Sequence, residues 1–236
     1  MRKTQYPWRT IAWITVFAIA MGFFETSVVV YLRALMYPEG FDFPLAPFQK
    51  SLALTEIIRE AATIIMLIIA GVAAGKTFIL RFAYFIYAFA VWDIFYYVFL
   101  KLLLDWPQSF YTWDILFLIP VAWVGPVLSP VIVSFTMILF FFVIIRKSLS
   151  KPGVNPGWKN RALLTLGSVV VVVAWTMDYS AFLLDHYKLH QMWNIPLHEI
   201  LVLSQTYIPK SFNWYLFGFG ELMILFAILK FWKKPN

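Results

Sequence analysis

Long runs of apolar residues broken by short polar stretches dominate the chain. Taking about twenty consecutive apolar residues as one membrane crossing, spans are predicted near 10–36, 51–74, 78–103, 127–145, 162–184 and 211–231. The stretch 107–126 is apolar as well, but Pro107, Pro120 and Pro126 argue against one straight helix, and Trp106, Trp113 and Trp123 suit headgroup depth. The span number is therefore six, or seven if this stretch also crosses.

Basic residues arbitrate. Arg2, Lys3 and Arg9 precede the first span, Lys76 and Arg81 separate the second from the third, and Arg146, Lys147, Lys151, Lys159 and Arg161 form one loop. Lys230, Lys233 and Lys234 close the chain. With six spans all of these share one side, which the positive-inside rule makes cytoplasmic together with both termini. Seven spans would place the most basic loop outside. The expectation is an all-α, polytopic membrane helical bundle of six transmembrane helices in the cell membrane, with 107–126 re-entrant or interfacial on the outer face. Residues 1–236 read as a single integral membrane domain. The loop from Ser148 to Lys159 reads as a basic turn between helices, not as a linker.

Composition agrees: 62% of the 236 residues are hydrophobic and 13% charged, too little charge to cover a water-soluble fold. The net charge of +7 is then a topology signal, and nucleic-acid binding is not expected. With no cysteine, disulfides, thiolate catalysis and cysteine-ligated metals are excluded. The basic start before a long apolar run reads as a retained span, since no small-residue cleavage site follows. Gly71 to Thr77 mimics a phosphate loop but is one residue short and ends a membrane helix. Gly71 and Gly75 read as a small-x-x-x-small packing pair, and Gly218 and Gly220 as residues allowing close helix approach.

The twelve acidic residues carry the functional information, because the basic loops contain none of them. Glu39, Asp42, Asp105, Asp114, Asp185 and Glu199 fall in or beside outer loops and need no special role. Glu25, Glu56, Glu60, Asp93, Asp178 and Glu221 fall within five spans, in their middle or outer halves. An ionisable group at that depth costs about 2.5 to 3.5 kcal/mol or more and usually faces the bundle interior. Glu56, Arg59, Glu60 and Thr63 share one stripe of the second span, Gly22, Glu25, Val29 and Arg33 one of the first, and Asp93 sits beside Tyr96 and Tyr97. Ionised, six acids against Arg33 and Arg59 leave an excess that a low-dielectric interior does not tolerate, so protons or a bound cation must balance it.

His186, His190 and His198 are the only histidines and lie in one outer segment. His186 and His190, four apart, would share a helical face, so a divalent metal, iron, manganese or zinc, is a candidate cofactor with these histidines as ligands. No Glu-x-x-His of the di-iron bundles occurs. Pro196-Leu197-His198-Glu199, with Trp92-Asp93 and Trp113-Asp114, is loosely similar to the Pro-x-Glu-Glu and Trp-Asp elements of the small membrane lycopene cyclases, in a different order and spacing and over a small part of the chain. No family follows from it.

The functional expectation is an outward-facing polar pocket of Glu25, Glu56, Arg59, Glu60, Asp93, Asp178 and Glu221 in a membrane enzyme acting on a lipophilic small molecule. A proton- or cation-coupled transporter and an accessory subunit of a larger membrane complex are the alternatives; partners expected in every case are bilayer lipids.

Overall fold

The computed structural model describes residues 6–47, 49–150 and 153–234; Arg2, Lys3 and Lys151 of the basic set lie outside them. Six helices are long and apolar enough to cross a membrane: α1 (Trp8–Met36), α2 (Lys50–Ala74), α3 (Phe78–Leu104), α4 (Leu128–Ser150), α5 (Trp158–His186) and, after the short α6 (Leu197–Ser204), α7 (Trp214–Lys233). The protein is thus an all-α, multi-pass membrane bundle, and the six-span reading holds. Each span begins and ends within a few residues of its predicted bounds, because hydropathy marks where a helix must satisfy its own backbone polar groups.

The segment 107–126 contains no crossing helix. It forms an antiparallel hairpin, β1 (Trp113–Phe117) with β2 (Trp123–Pro126), pairing Asp114 with Gly125 and Ile115 with Val124 and irregular beyond Ile115. Asp114, Val124 and Gly125 are buried. Strand pairing and the Glu60 carboxylate, which accepts the Leu118 N–H at 2.9 Å, supply the hydrogen bonds that bilayer lipid cannot. Glu60 lies ten residues into α2, roughly 15 Å along its axis, so the bend of the hairpin dips into the bundle.

α3 is the central helix, packed on α1, α2 and α4, while α5 and α7 form a second close pair joined to the rest by α4 and by β2. Glycines set the two tightest crossings. A Cβ on Gly71 would stand 2.6 Å from the Arg81 carbonyl and one on Gly75 2.3 Å from the Arg81 nitrogen, so the small-residue pair does let α2 approach α3. Between α5 and α7, a Cβ on Gly220 would meet the Gly167 carbonyl at 2.9 Å. Gly218, expected to share that role, has nothing within 4 Å. The half of the bundle at the basic end is a mainly apolar core that includes Ala18, Leu67, Ala83, Phe141 and Ile144, with the Tyr87 hydroxyl inside it hydrogen-bonded to Thr15 at 2.8 Å. The buried charged groups, Glu25, Arg33, Glu56, Glu60, Asp114 and Glu221, lie in the other half, where α1, α2 and α3 surround the hairpin.

Candidate functional site

Helical spacing dictates what faces the space between those three helices. From α1 come Glu25, Val29 and Arg33; from α2, Glu56, Arg59, Glu60 and Thr63; from α3, Trp92, Asp93, Tyr96 and Tyr97. The hairpin adds Asp114 and the apolar residues from Ile115 to Val124, and Leu197, Ile200, Leu201 and Ser204 of α6 complete the wall. Together they enclose a cavity of about 350 Å³, within the range of small-molecule sites. Its polar groups converge on one side, and aliphatic and aromatic side chains form most of the remainder.

Arg59 ties the first two helices together. Its Nε donates to Glu56 Oε2 at 2.8 Å, its Nη2 lies 2.7 Å from the same oxygen, and its Nη1 pairs with Glu25 Oε1. Glu25 and Glu56 are both buried, so the guanidinium neutralises two carboxylates removed from water, a use for which its planar fork of donors is suited and an ammonium is not. Asp93 has no such cation. It accepts the Ser134 hydroxyl at 2.8 Å through Oδ2, and its second oxygen has no hydrogen bond among the described residues. Beside it, Trp92 Nε1 is buried without a hydrogen-bond partner among the described residues.

Arg33 and Asp114 form a second charged group nearer the mouth. The guanidinium stacks between Trp106, 3.9 Å from the ring centroid, and Phe41, at 4.6 Å. Asp114 accepts the Tyr97 hydroxyl at 3.1 Å and lies 3.9 Å from Arg33 Nη2. Burial outweighs these contacts and pushes the Asp114 carboxyl from 3.8 up to about 6. The folded protein therefore holds this proton more tightly than the unfolded chain does. That contribution to stability is fully present below about pH 4 and is lost as pH rises to about 6. We expect Asp114→Asn to remove about 3 kcal/mol of pH-dependent stability across this window. Melting temperatures of both proteins over the same pH series check it: parallel curves for wild type and variant would show that Asp114 does not titrate there.

The structure brings together five of the seven expected site residues, Glu25, Glu56, Arg59, Glu60 and Asp93, and separates two. Asp178 accepts the Tyr207 hydroxyl at 2.8 Å and the backbone N–H groups of Lys210 and Ser211 at 3.3 and 3.2 Å, pinning the loop before α7. Burial, followed by the Asp178 carboxylate, holds the Tyr207 hydroxyl well above its ordinary range. Glu221 accepts the Thr136 hydroxyl at 2.8 Å between α7 and α4. Neither residue lines the cavity. Asp178 satisfies the rule that intramembrane acids find partners, while Glu221 does so through one oxygen only, its Oε1 being buried without a hydrogen-bond partner among the described residues.

The three histidines are also elsewhere. His186 at the end of α5, His190 in a short 3-10 helix and His198 in α6 are all exposed, and the Nδ1 of His186 is 2.9 Å from the Phe182 carbonyl. Among the described residues no group of three or more His, Asp or Glu side chains is arranged to hold a metal. The expected histidine metal centre thus has no support: α5 ends at His186 and the chain is extended at Tyr187, so His190 falls in a separate 3-10 helix instead of one turn further along the same face, and His198 begins a new helix after Pro196. His198 and Glu199 are exposed, whereas Asp93 and Asp114 meet in the cavity, so the lycopene-cyclase-like elements do not form one constellation.

Asp114, assigned to an outer loop by sequence, is buried and lines the cavity beside Asp93. Its signal was present: it is the one charged residue between Asp105 and Arg146, inside an apolar stretch, and it repeats the Trp-Asp pair of Trp92-Asp93.

Five carboxyls and two arginines line the cavity, so full ionisation would leave three negative charges in excess. Protons or a cation must offset them. The arrangement can therefore hold and hand over a proton beside an apolar molecule. Set against protein-family models, curated proteins and solved structures, the chain matches none of them. What fold and composition define is an integral membrane helical protein.

Proposed function

We propose that this is a membrane enzyme performing general acid–base chemistry on a lipophilic small molecule in the half of the bilayer away from the basic loops. The observation that carries the reading is the single cavity in which unpaired carboxyls, an ion-paired Glu25–Arg59–Glu56 cluster and apolar walls meet. Asp93 and Glu60 lack an arginine partner and serve as the proton-transferring groups. The Arg59 cluster fixes α1 to α2 and sets the local field, and the hairpin walls receive the apolar body of the substrate. The cavity's five carboxyls all lie in the half of the bundle away from the basic end, which favours an enzyme over a carrier.

The test is occupancy followed by conversion. Purified protein in lipid nanodiscs, exposed to an extract of membrane lipids and then washed, should retain a lipophilic species detectable by mass spectrometry. Ala122→Trp, which fills the cavity from the hairpin bend, should release it. Equal retention by both proteins would sink the assignment of the cavity.

The proposed setting is the cell membrane, with both termini and the basic loops in the cytoplasm. Because the chain has no cysteine, single cysteines report topology cleanly. In whole cells, Ser109→Cys and Lys188→Cys should react with a membrane-impermeant maleimide while Lys159→Cys reacts only after lysis. Labelling of Lys159→Cys in intact cells would reverse the orientation.

A further inference from the structure

At the basic end of the bundle, on the opposite side of the apolar core from the proposed active site, a second cleft of about 740 Å³ separates the start of α5 from the last turns of α7. Asn160 is its defining residue. It is only 4% exposed, it lines this cleft, and neither its side-chain Nδ2 nor its Oδ1 has a hydrogen-bond partner among the described residues. A buried amide with both ends unsatisfied is costly, and a molecule in the cleft that Asn160 lines would relieve that cost by offering both an acceptor and a donor.

The surroundings define the acceptor. α5 opens at Gly157 with no side-chain cap, so the backbone N–H groups of Trp158, Lys159 and Asn160 have no acceptor among the described residues. A helix start of this kind favours an anion. Lys159, Lys230 and Lys233 line the same cleft, and none of them forms an ion pair with a carboxylate among the described residues. The Lys234 ammonium, bonded to the Asn155 carbonyl at 3.1 Å, adds a further charge near Gly157. Apolar surface continues from the cleft: Trp158, Phe226 and Leu229 are 69%, 60% and 54% exposed, on helices whose outer faces meet lipid.

We propose that this cleft binds an anionic phospholipid whose headgroup also carries hydroxyls. The phosphate accepts from the α5 N–H groups, the Asn160 amide and the lysines. A headgroup hydroxyl donates to Asn160 Oδ1, and the acyl chains lie against Phe226 and Leu229. Basic clefts at membrane helix ends recognise lipid phosphates in this way. A zwitterionic lipid lacks the net charge, and free phosphate lacks the apolar body.

The probe is phosphatidylglycerol, titrated onto the full-length protein in detergent, with phosphatidylcholine and inorganic phosphate alongside, read by native mass spectrometry and by melting temperature. Phosphatidylglycerol should bind with defined stoichiometry and raise the melting temperature, and the other two should do neither. Lys230→Gln with Lys233→Gln should weaken the apparent affinity by roughly tenfold or more, the effect of losing two charges at the membrane surface. Asn160→Leu should weaken it as well while leaving the charge unchanged. Lys76→Gln, at the same end of the bundle but outside the cleft, should leave the affinity intact. Equal binding of phosphatidylcholine overturns the proposal, as does an equal loss in Lys76→Gln, which would mean diffuse attraction. A full effect from inorganic phosphate overturns the lipid assignment. Should Asn160→Leu not fold, the exposed double lysine variant decides alone, and unchanged affinity there overturns the site.

Discussion

Replacing Arg59 with Leu is expected to destabilise the protein by about 3 to 5 kcal/mol, the cost of leaving buried carboxylates without their cation. Glu25 and Glu56 both turn to this one guanidinium, so its removal strands two charges on two helices. The cluster's worth lies in mutual dependence more than in net attraction, because desolvation offsets much of the Coulomb gain. The triple variant Glu25→Gln, Glu56→Gln, Arg59→Leu should therefore recover most of the lost stability. Arg59→Lys should recover only part, since an ammonium cannot match the donors that Arg59 directs to two carboxylates. Thermal unfolding in one detergent measures all of these. Wild-type stability in Arg59→Leu would mean that water or a second cation already serves the two glutamates.

The second large effect concerns Asp93. Proton transfer by a positioned carboxyl contributes about 10²- to 10⁴-fold to a rate, so Asp93→Asn is expected to slow conversion of the lipophilic substrate by that factor. Asparagine keeps the size of the side chain and can still pair with the Ser134 hydroxyl, so the fold should persist. Asp178→Asn provides the contrast: it weakens the hold on the loop before α7, lowers thermal stability, and leaves the rate per folded molecule near wild type. Glu221→Gln should behave like Asp178→Asn, since its contact is with Thr136, away from the cavity. Equal losses of rate in all three variants would indicate a general requirement for intramembrane acids instead of a site.

Membrane topology was legible in the sequence because it rests on two coarse signals, apolar run length and the sidedness of Lys and Arg. The stripe on α2 was legible because helical periodicity is rigid: once Glu56 and Glu60 lie on one helix, their shared direction follows. Periodicity does not report which neighbour a stripe faces. Asp178 and Glu221 sit at suitable depth on suitable helices, yet α5 and α7 pack on each other through Gly167 and Gly220 and turn these acids to other partners. Asp114 was hidden for a different reason. The tryptophans and prolines around it showed that 107–126 does not cross as a straight helix, but hairpin pairing and the grip of Glu60 on the Leu118 amide depend on a contact between residues 58 positions apart. The orphaned amide of Asn160 was equally invisible, because burial without a partner is a property of packing.

On the proposed reading, a lipophilic molecule is chemically altered in the cavity bounded by α1, α2, α3 and the hairpin. The most direct test of this compares purified wild type with Asp93→Asn, both verified as folded by their melting transitions. Each is reconstituted in nanodiscs with an extract of membrane lipids and followed by untargeted mass spectrometry and chromatography. Wild type should consume one lipophilic species and form another, and conversion by Asp93→Asn should be slower by about 10²-fold or more. A species converted equally fast by both proteins would contradict this reading, as would wild type converting nothing.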